Sequence, residues 1–153
     1  MISNVTGGFD KLSGQIIYSP SDFNKSQANV VIDVMSINTR VPGRDAHLKS
    51  PDFFDAAQFP AISFISTQFI PGAIMGKLTM KGKTRLITVP VTISGPIKGM
   101  RGEEVIGITG AVTLNRQDWG INWNKTLDKG GLAVGNEVLV NISIEADKSQ
   151  VRK

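Results

Sequence analysis

Cysteine is absent from the 153 residues, and histidine and tyrosine each occur once. Without thiols there are no disulfides, thiolate zinc sites or cysteine nucleophiles, and one histidine leaves a transition metal only carboxylates as further ligands. The metal expectation is therefore none. No apolar run approaches the roughly 20 residues of a spanning helix, so no membrane span is expected. A helical basic face and a basic stretch interleaved with aromatics are also missing, which argues against nucleic acid. Met1 runs directly into Ile2-Ser3-Asn4-Val5, with no basic and then apolar leader pattern in these residues.

What is present is ordinary in amount and informative in arrangement. Hydrophobic residues make up 41% and charged residues 20%, and 17 Lys plus Arg against 13 Asp plus Glu give +4. Such a length is read as one domain, 1–153. The 16 glycines and 7 prolines are spread among many Val, Ile and Thr, a composition of short strands joined by turns. Period-two alternation recurs over 28–37, 61–70, 73–81, 84–94, 104–115 and 137–146, with a first strand around 15–19 reaching back toward Phe9. Lys81-Gly82-Lys83 reads as a hairpin turn. Pro90 lacks an N–H, so its strand is expected at an edge, at a bulge, or with that N–H on an unpaired side. Seven one-faced strands must stack as two sheets or close on themselves, so the expectation is all-β.

Two regions break the alternation, 40–59 and 115–135, and both are expected as excursions at a rim. Arg44, Asp45 and His47 lie within four positions in the first. They invite an acid and base pair, Asp45 with His47, but no nucleophile elbow accompanies them. The structural account has Asp45 capping a short helical turn and Arg44 bonding a carboxylate or loop carbonyls. Phe53, Phe54 and Phe59 follow, either as a plug in one mouth or as the wall of an apolar cavity. In the second region Gly120 argues for a bulged strand end, with Trp119 packed inward, Trp123 at the rim or facing a membrane, and Arg116 paired to Asp118. Residues 124–136, with Gly130, Gly131 and Gly135, read as a mobile loop.

Residues 39–69 carry a more specific pattern: Ser36 and Thr39, then Arg44, Asp45, His47, Leu48, Ser50, Asp52, Phe53, Phe54 and Asp55, then Phe59, Pro60, Ile62, Phe64, Ser66 and Thr67. With Gly76-x-Leu78-Thr79-x-x-Gly82-x-Thr84 and Asn115-Arg116-x-Asp118-Trp119-Gly120, nearly the whole chain resembles the YceI family of lipocalin-like bacterial proteins. The resemblance implies an eight-stranded antiparallel barrel with a short helical excursion at one rim. It also implies a first strand ahead of the part matched by Ile2 to Phe9, which is missing here. A missing strand leaves two edges open, so a homodimer is a possible partner arrangement.

The family resemblance implies a non-enzymatic carrier of a polyisoprenoid, quinone tail or fatty amphiphile in the periplasm, with that amphiphile as ligand and no cofactor. Alternation supplies the candidate lipid contacts. Phe9, Val34, Phe64, Leu78 and Met80 fall on one side of the expected barrel. Val89, Val91, Ile108, Val140 and Ile142 continue the same face, and Phe53, Phe54, Phe59 and Trp119 join them from the excursions. Lumen-facing Ser66, Gly110 and Ala146 leave room for a guest in an elongated tunnel. Because an ionised head group loses solvation if buried unpaired, it is expected at a rim beside Arg44 and His47.

Overall fold

The structure, a computed structural model, describes residues 6–124 and 135–147, so most of the 124–136 loop reading falls outside the described residues. Nine strands occur among them: β1 (Gly8–Phe9), β2 (Leu12–Ile17), β3 (Gln27–Asp33), β4 (Ile37–Asn38), β5 (Ala61–Ile70), β6 (Ala73–Met80), β7 (Lys83–Lys98), β8 (Glu104–Asn115) and β9 (Glu137–Asp147), with one α-helix, α1 (Pro42–Lys49). Seven of these form a single antiparallel sheet in the order β2-β3-β5-β6-β7-β8-β9, and β1 pairs separately with β4. The sheet curls into a half-barrel. Among the described residues β2 and β9 have no partner on their outer sides, so the expected tunnel is an open trough.

Two expected strands are interrupted for local reasons. The alternation of 28–37 breaks after Asp33, whose Oδ1 accepts the Met35 N–H at 3.0 Å and turns Val34–Ser36 into a 3-10 helix. The strand expected from Phe9 to Ser19 divides at Asp10 and Lys11, and Phe9 joins the small β1–β4 ladder instead. The Lys81-Gly82 hairpin is as expected: both residues have positive φ, and Met80 faces Lys83 across the turn.

Pro90 has the most consequential position. It lies in an internal strand, at the point where β7 changes partners: Lys83 to Pro90 pair with β6, and Val91 to Lys98 pair with β8. Opposite it, Gly110 approaches so closely that a Cβ there would lie 2.3 Å from the Pro90 carbonyl oxygen. Beyond this point β8 residues Ala111 to Asn115 pair only with β9. The sheet therefore divides into a β2–β6 half and a β8–β9 half joined through β7.

The two halves are filled differently. At one end Val34, Ala56, Ile62, Leu78, Met80 and Trp119 form a buried cluster, with Phe9, Phe54, Phe64 and Leu114 packed against it. At the other end Ala28, Phe69 and Ile74 are buried under Tyr18 and Phe23. Phe64 touches both clusters. Each fully buried aliphatic or aromatic side chain contributes roughly 1.5 to 3 kcal/mol. On the inner face of β8 and β9, by contrast, Val112, Val140, Ile142, Ile144 and Ala146 are only half-buried.

We expect Gly110→Ala to lower stability by about 1 to 3 kcal/mol, because the added methyl has backbone as its neighbour and the strand cannot yield cheaply. Chemical denaturation checks this against Gly8→Ala, where a Cβ meets nothing within 4 Å and φ is not positive. A Gly110 variant no less stable than the Gly8 variant would refute the close approach.

Candidate functional site

Pro42 opens α1 with its fixed φ, and Val41 occupies the cap position with no side-chain bond. Asp45 therefore does not cap the helix, contrary to the sequence expectation. Its Oδ1 accepts two hydrogen bonds from Thr39, from the backbone N–H at 2.8 Å and from the hydroxyl. Arg44 binds the same residue: Nε donates to Thr39 Oγ1 at 3.0 Å and Nη2 to the Thr39 carbonyl at 2.9 Å. Thr39, buried to 6% exposure, thus ties the end of β4 to the helix. The Thr39 hydroxyl holds the Asp45 carboxyl below its ordinary value, helped by the Thr39 N–H, Lys49 and Arg44. Asp45 is accordingly an ionised acceptor at neutral pH.

His47 has a different partner. Its Nε2 lies 2.8 Å from Asp52 Oδ2, and both side chains are well exposed, at 39% and 50%. The imidazole stands edge-on to Phe53 (5.0 Å) and Trp123 (4.6 Å). The anticipated Asp45 and His47 pair is therefore not assembled, since each engages another residue. Trp123 closes this rim cluster against Phe53 at 5.4 Å. Nothing in the spacing of the sequence identifies Asp52 as the partner of His47; the turn after α1 brings it there. Among the described residues no three His, Asp or Glu side chains gather as a metal site.

The second excursion departs from its expected form. Arg116–Trp119 is one 3-10 turn, ended by Gly120 in the left-handed conformation at φ 75°, rather than a bulged strand end. Trp119 points inward at 2% exposure, and its indole N–H donates to the Leu78 carbonyl at 2.9 Å. Arg116 is buried and bonds the carbonyls of Ile121 (2.7 Å) and Gly135 (2.8 Å), in place of the expected pairing with Asp118. Burial lowers its pKa from the ordinary arginine value.

The candidate lipid contacts divide by burial. Val34, Phe53, Leu78, Met80, Val89, Ile108 and Trp119 are buried, and Phe9 packs edge-on to Phe54 at 5.9 Å. Phe59 lies over the β6–β7 turn, where a Cβ on Gly82 would come within 2.7 Å of its ring. Phe64 bridges the two clusters. Val91, Val140 and Ile142 remain half-buried, the latter two on the open wall. Ile144, Val112 and Ile106 line the same wall; they lie in the alternation of β8 and β9, which marks a face without marking what covers it.

Comparison with known proteins gives a consistent answer. The model of the YceI-like domain matches residues 1–146. The UPF0312 protein SAR2769 of Staphylococcus aureus (strain MRSA252) is 37% identical over 151 residues, 98% of this chain and 88% of that protein. SAS2572 from strain MSSA476 is 36% identical over the same shares. Among solved structures, the Campylobacter jejuni YCEI protein superposes with a TM-score of 0.82 at 28% identity, covering 98% of this chain and 88% of its own. Burkholderia cenocepacia BcnA superposes at 0.81 and 26% identity, covering 95% and 90%.

The Thr39 ties give a pH signature. The Asp45 carboxyl is lowered on folding, so the stability it adds is complete above its ordinary value of 3.8 and is lost as the pH falls through the lowered one. Urea midpoints measured down into the acid range should fall less steeply in Asp45→Asn than in the unaltered chain. Identical slopes would mean that Asp45 is not held by Thr39.

Proposed function

The chain belongs to the YceI-like family, and from that premise we propose that it is a non-enzymatic carrier of a long apolar amphiphile, a polyisoprenoid, quinone tail or fatty chain, working in the periplasm. The lipocalin-like fold and the family support a binding protein. The observation that carries the finer reading is the half-buried inner wall of β8 and β9. Val112, Val140, Ile142 and Ile144 form an aliphatic strip there; Gly110, expected to leave room for a guest, instead has the Pro90 carbonyl where its side chain would stand. A strand of this length runs for about 35 Å, which suits a linear tail. Binding of that kind is driven by apolar area removed from water, so it accepts many tails.

The head group is assigned to the α1 rim. Arg44 and His47 are basic groups there, with Lys49 on the same helix and Lys81 on the adjoining Pro51 carbonyl, and a polar or anionic head stays hydrated beside them. Arg44 also holds Thr39, so its two roles have to be separated by experiment. The outer sides of β2 and β9, unpartnered among the described residues, further support association of two copies.

Solvent extraction of the purified protein followed by mass spectrometry should recover a long-chain lipid. An empty protein that also refuses fluorescent prenyl and acyl probes would end the carrier reading. With one tail length carrying anionic or neutral heads, Ile142→Trp should abolish both, whereas Arg44→Ala should weaken the anionic head by about tenfold. Equal losses for both heads with a lowered Tm would make Arg44 structural only.

Sedimentation velocity tests the association separately. A dimer is expected, and a monomer at every concentration would remove it.

A further inference from the structure

The β7–β8–β9 end of the sheet projects well past its neighbours. The Val91 N–H donates to the Gly72 carbonyl in the β5–β6 turn at 3.0 Å, so that turn ends level with Val91. β7 nevertheless continues to Lys98, and β9 accompanies β8 as far as Asp147 opposite Val105. Seven further residues amount to about 20 Å of strand beyond the β5–β6 turn. The result is a tongue at the end of the trough away from α1.

The tip of this tongue is unusual in what it exposes. Met100 is fully exposed at the apex and Ile97 is 65% exposed beside it. Lys98 and Arg101, both exposed, flank Met100 on either side. The nearest acids belong to the same hairpin, Glu103 folding its carboxylate into the turn beneath Met100. Glu103 Oε1 accepts the Arg101 backbone N–H at 3.1 Å and lies 2.0 Å from where a Gly99 Cβ would be. Glu104 stands one position further from the apex, opposite Lys98, and is itself engaged.

We infer that this tip docks the protein on a lipid surface, with Met100 and Ile97 entering the acyl boundary and Lys98 and Arg101 meeting anionic phosphate head groups. An exposed apolar apex flanked by two long cationic side chains, Lys98 and Arg101, matches the layered chemistry of a bilayer interface, where the stems lie along the apolar layer and the charges reach the head groups. A protein partner would have to offer a pocket of the same polarity order, and the chain's +4 charge adds attraction to an anionic surface. The position also suits the purpose: the tip stands at the end of the β8–β9 wall, where a tail would pass between membrane and trough. The inference rests on the carrier reading for that purpose, though its test does not.

The absence of cysteine permits single-site labelling. An environment-sensitive fluorophore on Met100→Cys is compared with one on Ala57→Cys, an exposed residue at the α1 end. The probes are vesicles of phosphatidylcholine alone and of phosphatidylcholine with phosphatidylglycerol. A blue shift at residue 100 only, larger on the anionic vesicles, is expected. In the unlabelled chain, Ile97→Glu with Met100→Glu should weaken vesicle partition at least about tenfold, while Met100→Leu should retain it. No partition of the unaltered chain, equal shifts at both labels, or partition untouched by the glutamates would overturn docking. So would cross-linking from residue 100 to a protein rather than to lipid. Uptake of acyl and prenyl probes from vesicle-free solution is followed in parallel: its loss in the unaltered chain would sink the carrier reading alone, and its survival in the glutamate variant separates docking from binding.

Discussion

One exchange of partners along β7 organises the molecule. Up to Pro90 the strand bonds β6, and from Val91 it bonds β8. A proline tolerates this place because it has no N–H to offer a ladder, and Gly110 makes it sterically possible by bringing backbone against the Pro90 carbonyl. Had one ladder run continuously, β8 would have lain flat along β7. Instead β8 leaves the packed half of the sheet and takes β9 with it. The open wall and the tongue both follow from that departure.

The packed half makes the departure affordable. Trp119 returns from the end of β8 to bury its ring among Val34, Ile62, Leu78 and Met80, and its N–H meets a carbonyl of β6. A buried indole with its one donor satisfied contributes area without an unpaired polar group. The 51–59 segment seals the same end with Phe53, Phe54 and Ala56, held by α1 through Thr39, Arg44 and Asp45. Rigid support at one end allows half-exposed aliphatics elsewhere without loss of the fold.

Much of this was legible in the sequence. Alternation located all seven strands of the main sheet because the side-chain period is a direct consequence of the pleat. Gly82 located the tight hairpin, and Trp119 was placed inward. Other features depend on contacts distant in sequence. Asp33 could continue a strand or turn it, and its bond to the Met35 N–H decided the matter. Gly120 was compatible with a bulge or with the left-handed end of a 3-10 turn. Asp45 was two-sided in the same way: a carboxylate near a helix start accepts whichever N–H is delivered, and β4 delivered Thr39 rather than the first turn. For the site, alternation identified the inner face of Leu78 and of Ile142 equally well. It could not tell which would be covered, because coverage comes from the excursions and from the curl of the sheet.

The order of the main sheet is also the order of the chain, β2-β3-β5-β6-β7-β8-β9, apart from the β4 and α1 detour. Every ladder therefore joins segments that are successive or nearly so, and none requires the first strand to find the last. Loop-closure entropy is met in small instalments, each hairpin adding to the edge left by the one before. Such a meander assembles from local pairings without a long-range search. Among the described residues its growth front is the outer side of β9, the last strand to be added.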